Sequence, residues 1–326
     1  MQNRLSQFSS FVGEMNARAC EDSVEELARW GVLSLSRIIG FDCAWYGWAR
    51  LCADAVTVEA QCPHNLPDGY FDVWSEIASE DLLAAGVWRN PGHAASYARS
   101  GDVQTDGMIA LSERFDLKCM ATAMDVRTDN RPAFYMSMYR GGLARPWDED
   151  ELEFLQCAVD QLSSSMRCMT ARPGLRSDAA SVFVNDDGVG LLGLDNLKSR
   201  LGHLLPDMDE NGLPPSLRPL ARCQGKHVLP DRDLVLISHR SERTEGMGLR
   251  RLTLRRLTSF DLLTRREREV AFALADGKSH KETARLLGIA PSTVRNQTQS
   301  IYAKLDVDNR AHLAAVVSEN TVQMAQ

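Results

Sequence analysis

Apolar positions recur at three- and four-residue spacing along the last quarter of the chain, and each such run opens with a helix-start signal. Val294, Thr298, Ile301 and Leu305 share one helical face, and Val270, Leu274, Ala284 and Leu287 supply apolar positions for it to pack on. Thr264 and Glu267 stand three apart, as do Ser279 and Glu282. That is the spacing of a capping box, in which hydroxyl and carboxylate each satisfy a free backbone N–H. Gly277 suits the left-handed residue that ends a helix, and Pro291 is tolerated in the first turn of the next. Starts this close leave room only for short helices and tight turns, which is helix-turn-helix geometry. The polar face of the third helix, residues 291–305, carries Ser292, Thr293, Arg295, Asn296, Gln299, Ser300 and Lys304. Arg can bond guanine edges, and Asn or Gln adenine edges, in a major groove wide enough for one helix. Lys278, Ser279, Lys281 and Lys304 suit backbone contacts, which fix register without reading sequence. These residues alone leave open a second reading, a small protein-binding bundle with a solvated polar face.

Upstream the period changes. Asp22 to Ile39 places Val24, Leu27, Trp30, Leu35 and Ile38 mostly on one side of a helix that Gly40 ends. Strand-like runs follow at Phe41–Leu51 and Ala55–Cys62, then helical stretches at Gly69–Ala85 and Met108–Phe115. Two more strands, Lys118–Arg127 and Ala133–Arg140, are joined by a turn at Asn130-Arg131-Pro132. A long helix runs from the acidic turn Asp148-Glu149-Asp150-Glu151 to about Met169, with negative charge where a helix dipole favours it. After it come a strand at Ala180–Val184, a turn at Asn185-Asp186-Asp187-Gly188 and a helix at Leu194–Leu205. Beyond the loop Pro206–Pro219, Asp233–Ser238 and Leu249–Leu254 alternate as strands about a turn at Glu245-Gly246. Arg250, Arg251, Arg255 and Arg256 either reach DNA or solvate the outer face of an edge strand. The pattern predicts an α+β chain in three parts, 1–172, 173–257 and 258–326.

Family resemblance sharpens this. Leu263-Thr264-Arg265-Arg266-Glu267-Arg268-Glu269-Val270, then Ala275-Asp276-Gly277-Lys278-Ser279-His280-Lys281-Glu282, closely resembles the LuxR-type DNA-binding domain. So do Thr293-Val294-Arg295-Asn296-Gln297 and Ile301-Tyr302-Ala303-Lys304-Leu305. The resemblance covers roughly residues 258–320 and implies an all-α fold of four helices, the third reading DNA and the fourth commonly a dimer contact. It implies Arg295, Asn296 and Gln299 as base readers, with double-stranded DNA and a homodimer partner. The family usually has Ser where Ala290 stands and His where Gln297 stands, so the operator is expected to differ from the family norm. By layout, residues 1–172 resemble the GAF-like sensory half of such regulators, an α/β sandwich, and 173–257 a reduced PAS-like module. The alternative for the latter is a structural spacer. Family members that bind acyl-homoserine lactones carry an Asp-Pro pair after an aromatic cluster. Here Leu82 follows Asp81, so that ligand is not indicated.

Trp45, Tyr46, Trp48, Tyr70, Phe71, Trp74 and Trp88 crowd into one region, where they either fill a core or line a small-molecule pocket. Ala121 and Ala123 alternate with larger residues, so one strand face is expected to leave space. The formal net charge is −7, yet residues 251–326 hold 12 Lys and Arg against 8 Asp and Glu. A basic end on an acidic body suits phosphate attraction at that end. Eight cysteines lack metal spacing and read as reduced, buried thiols, with Cys62 and Cys223 the alternatives for redox sensing. No membrane span, signal peptide, P-loop, Gly-x-Ser-x-Gly or metal motif is present, so neither enzyme activity, cofactor nor metal is expected, and the location expected is cytoplasmic. A receiver domain would begin with an apolar strand ending in paired carboxylates, which this chain lacks. The expected function is a one-component, DNA-binding transcriptional regulator that senses a small molecule or other signal. The alternatives are control by a partner protein, or constitutive DNA binding with a purely structural N-terminal domain.

Overall fold

The computed structural model describes residues 4–52, 55–101, 103–125, 131–142, 144–171, 178–209, 212–239 and 247–324. It divides into two compact units, the first comprising residues 1–172, 180–225 and 238–253, the second 173–179, 226–237 and 254–326.

The first unit opens with α1 (Arg4–Arg18) and α2 (Val24–Ile39). Ser23 caps α2 in a box with Glu26. Then come β1 (Cys43–Cys52), β2 (Ala55–His64), α3 (Tyr70–Ile77), α4 (Leu82–Arg89), β3 (Ala95–Ala98), α5 (Asp106–Phe115), β4 (Leu117–Met124), β5 (Ala133–Gly141) and α6 (Glu149–Thr170). The strands form an antiparallel sheet in the order β2-β1-β5-β4-β3. Side chains alternate across it. Ala44, Tyr46, Trp48, Ala121, Ala123, Phe134, Met136 and Met138 pack in one core with α1, α2 and α6. Trp45, Ala49, Met120, Met124, Tyr135 and Tyr139 pack in a second core with α3, α4 and α5. An added Cβ at Gly47 would lie 2.0 Å from the Ala60 carbonyl oxygen, so only glycine lets β1 and β2 approach there. This is the expected α/β sandwich, with two elements beyond expectation. Phe8, Phe11, Val12 and Met15 carry the helical spacing that makes α1, while β3 is only four residues long.

Glu151 pins the start of α6. Its carboxylate is 1% exposed and accepts from Arg140 Nη2 at 2.9 Å and Arg145 Nη2 at 2.7 Å, while boxing with Asp148. Arg140 also donates to the carbonyls of Ile39 and Gly40 and lies 3.6 Å from the Trp147 ring centroid. A buried charge so fully paired is costly to break from one side, typically about 3–5 kcal/mol.

The middle of the chain supplies β6 (Ala179–Val184), β7 (Gly190–Leu192), α7 (Leu194–Leu201), α8 (Arg218–Arg222), β8 (Gly225–Leu229), β9 (Leu234–Ser238) and β10 (Arg250–Arg256). Their order, β7-β6-β10-β9-β8, repeats that of the first sheet with fewer covering helices. β10 is therefore central rather than an edge. Three of its four arginines are held in ion pairs, Arg250 with Asp186, Arg255 with Asp261 and Arg256 with Asp233, while Arg251 is exposed. The predicted helix ends at Leu201, and β7, β8 and α8 were not expected. The turn residue Asn130, the predicted strand end at 126–127, the turn at Glu245-Gly246 and the boundary at 172–173 lie outside the described residues.

The second unit ends in α9 (Arg265–Ala275), α10 (His280–Leu287), α11 (Pro291–Leu305) and α12 (Arg310–Met324). Phe260, Leu263, Val270, Leu274, Ala284, Val294, Ile301, Leu305, Leu313 and Val317 form its core. Cys20 and Cys168, expected to be buried, are exposed, as is Cys223, one of the two alternatives for redox sensing.

Candidate nucleic-acid interface and sensory cleft

The two capping boxes form as their spacing predicts. Thr264 accepts from Glu267 N at 3.2 Å while Glu267 accepts from Thr264 N at 2.7 Å, and Ser279 with Glu282 does the same for α10. Gly277 takes φ +92° between α9 and α10, and Gly288 takes φ +65° between α10 and α11, angles that cost other residues strain. Pro291 sits in the first turn of α11, and its N-cap Ala290 makes no side-chain cap bond. Val294, Thr298, Ile301 and Leu305 are buried, with Thr298 Oγ1 donating to the Val294 carbonyl at 2.7 Å. That packing turns Ser292, Thr293, Arg295, Asn296 and Gln299 outward, all exposed on one helix.

Ser300 and Lys304 are placed differently. Ser300 Oγ donates to Glu267 Oε1 at 2.6 Å, and Lys304 Nζ lies 2.9 and 2.7 Å from the two Glu267 oxygens. Burial alone would raise the Glu267 carboxyl, but the bonds from Lys304, Ser300 and Thr264 outweigh it and bring it down to about 2. Both side chains thus brace α11 against α9. Ser279 spends its hydroxyl on the cap, Lys278 pairs with Asp276, and Lys281 stays exposed. Sequence reasoning gave Arg310 no role. It donates to the Leu274 and Lys278 carbonyls at 2.8 Å each, closing the turn before α10. Gln297 Oε1 is buried without a hydrogen-bond partner among the described residues.

In the first unit the aromatic cluster splits by strand alternation. Trp45, Tyr70, Phe71 and Trp74 come together, with Trp45 edge-on to each of the other three at 4.7–5.8 Å. Tyr46 and Trp48 point to the opposite core, and Trp88 is 41% exposed on α4. A small cleft of about 40 Å³ is lined by Trp45, Trp74, Asp81, Thr122, Tyr135 and Ser137 with aliphatic neighbours. Ala121 and Ala123 face the other core, so the space is bounded by Thr122 and Met124 instead. Asp81 Oδ1 caps α4 through Leu83 N and Ala84 N, and Oδ2 accepts from Trp74 Nε1 at 2.9 Å. Burial pushes its carboxyl up, partly offset by those bonds. Thr122 and Ser137 hydroxyls pair at 2.7 Å, while the buried Tyr135 Oη has no partner among the described residues. The polar wall residues Asp81, Thr122, Tyr135 and Ser137 come from three elements, the cap of α4, β4 and β5, and no local pattern in the sequence brings them together.

A glycine-broken pair of short helices presenting one helix's polar face is a helix-turn-helix, the DNA-binding class. Residues 261–317 match the family described as "Bacterial regulatory proteins, luxR family", and this part of the chain is a LuxR-family DNA-binding domain. Over 48 residues it is 52% identical to the transcriptional regulatory protein DesR of Bacillus subtilis, covering 15% of this chain and 24% of that protein. Over 54 residues it is 46% identical to UhpA of Escherichia coli, covering 17% and 28%. The chain thus spans about a quarter of the length of the curated relatives it matches. Among solved structures, Escherichia coli SdiA aligns over 97% of this chain and 99% of its own at 13% identity, with a TM-score of 0.39. The GAF domain/HD domain protein of Geobacter sulfurreducens aligns over 46% and 95% at 15% identity, with a TM-score of 0.33. Among the described residues no helix is long and apolar enough to cross a membrane, and no group of three or more His, Cys, Asp or Glu could hold a metal ion.

Proposed function

We propose that the chain is a one-component transcriptional regulator acting on cytoplasmic DNA. In this reading residues 1–172 sense a small molecule, 173–257 form the PAS-like module, and 258–326 bind operator DNA as a homodimer. The observation that carries it is the outward face of α11, where Arg295, Asn296 and Gln299 stand exposed on a helix held by a buried core. Arg295 supplies a guanine-directed fork, Asn296 and Gln299 supply adenine-directed amides, and Ser292 and Thr293 lie at the groove's edge. Two such helices one turn apart, about 34 Å, would read a paired site. Lys281 is the phosphate contact, with Lys278 and Ser279 beside it at the start of α10. Gel-shift titration of Arg295→Ala across operator variants tests the assignment. The expected loss is about 1–3 kcal/mol with relaxed choice at one base position, and an unchanged preference would sink it.

The cleft beside Trp45, Trp74 and Asp81 is the ligand site in this reading. Apolar walls with a few convergent polar groups suit a compact molecule, and the unpartnered Tyr135 hydroxyl supplies a hydrogen bond for it. Native mass spectrometry of the full chain from its own host should show one added mass per subunit. A clean apo mass that Tyr135→Phe leaves unchanged in stability would turn the reading towards a partner protein as signal.

A further inference from the structure

The passage from β10 to α9, residues 257–264, is bonded along its length. Leu257 N donates to the Asp233 carbonyl at 2.9 Å, and Thr258 forms a capping box with Asp261 over the turn Ser259–Leu262. Phe260 then enters the helical core, 1% exposed and edge-on to Phe272 at 5.7 Å. The next side chain, Asp261, is committed to the strands. Arg255 of β10 grips it with two nitrogens at 2.6 Å each, and Lys226 of β8 lies 2.5 Å from Oδ1. Thr258 N and Oγ1 donate to Oδ2 at 2.9 and 2.8 Å. Successive residues thus lock into the helical core and onto the strands.

We propose that Asp261 is a positioning residue that fixes the DNA-binding helices on β8 and the last residues of β10, 254–256, so that these parts of the second unit move as one body. A two-pronged Arg–carboxylate contact fixes orientation as well as distance. The carboxylate is 1% exposed, so water does not compete for it. Arg256–Asp233, on the same strand, is 58% and 42% exposed and belongs to the surface pairs that contribute little. Burial alone would raise the Asp261 carboxyl, and the bonds from Arg255, Lys226 and Thr258 hold it well below the usual range, so the joint stays charged at neutral pH. A flexible linker in this place would let the helices average over many orientations. This joint makes β8 and the end of β10 part of the body that presents the helices.

The test uses the full chain without DNA, so its failure leaves the operator-reading proposal untouched. Genetically encoded spin labels go at Asp231, in the turn after β8, and at Leu286, exposed on α10, and pulsed electron paramagnetic resonance reads the distance between them. The wild type should give one narrow distribution, and Asp261→Asn should broaden it while helix content by circular dichroism stays constant. Arg256→Gln should leave it narrow. A broad distribution already in the wild type, or a narrow one in folded Asp261→Asn, overturns the proposal. If Asp261→Asn does not fold, Lys226→Met keeps the Arg255 grip and should broaden the distribution partially; an unchanged width there overturns it too.

Discussion

The Glu267 carboxylate accepts from Ser300, Lys304 and Thr264, so one residue near the start of α9 sets the seating of α11. Its folded pKa of about 2 lies below the usual 4.5. A depressed carboxyl contributes stability that is fully present above the unfolded pKa. That stability is lost as pH falls from 4.5 through about 2. The side chain is 8% exposed, and the shift corresponds to on the order of 3 kcal/mol at neutral pH. Glu267→Gln should therefore lower the melting temperature at pH 7 and flatten its pH dependence between about 4.5 and 2. Thermal unfolding followed across that range checks both. A mutant curve parallel to the wild type would show that Glu267 is not the titrating brace.

At the scale of elements, what the sequence makes legible is what it encodes locally. The boxes Thr264/Glu267 and Ser279/Glu282 are complete within four residues, and α9 and α10 begin where those residues say. Ala290 shows the same logic in deficit, since α11 begins at Pro291 without a side-chain cap, typically at a cost of about 1 kcal/mol. The α1 spacing at Phe8, Phe11, Val12 and Met15 is equally local, although α1 lies beyond the sequence expectation. Strands β3 and β7 were not legible, being four and three residues long, and β8 shows no alternation because every residue is half-buried. Sheet order was hidden for a different reason. β10 is central only because it lies between β6 and β9, and no local pattern announces pairing across that much chain. The candidate sites follow the same division. Arg295, Asn296 and Gln299 are legible because one helix presents them. The bonds of Ser300 and Lys304 to Glu267 are not legible, because Glu267 lies 33 and 37 residues away. The aromatic cleft needed β1, α3, β4, β5 and the cap of α4 to meet before Tyr135 and Asp81 became neighbours of Trp45.

At the scale of the whole molecule, charge is unevenly shared: residues 251–326 carry 12 Lys and Arg against 8 Asp and Glu, in a chain of net charge −7. Attraction to phosphate therefore rests on a few cations, and the salt dependence of binding counts the ones that neutralise phosphates. Lys281 is exposed at the start of α10 and has no ion-pair partner among the described residues. Lys304 is held between the two oxygens of Glu267. In full-length protein, Lys281→Ala should reduce the slope of log affinity against log salt by about 1, weakening all sequences alike. Lys304→Ala should leave the slope unchanged and instead lower the melting temperature, because it strips the cation from a buried carboxylate. Binding isotherms at several salt concentrations, paired with thermal unfolding, separate the two. An equal fall in slope for both lysines would mean that Lys304 leaves Glu267 for a phosphate on the operator. The brace between α9 and α11 would then be a feature of the free protein that DNA exchanges for its own contact.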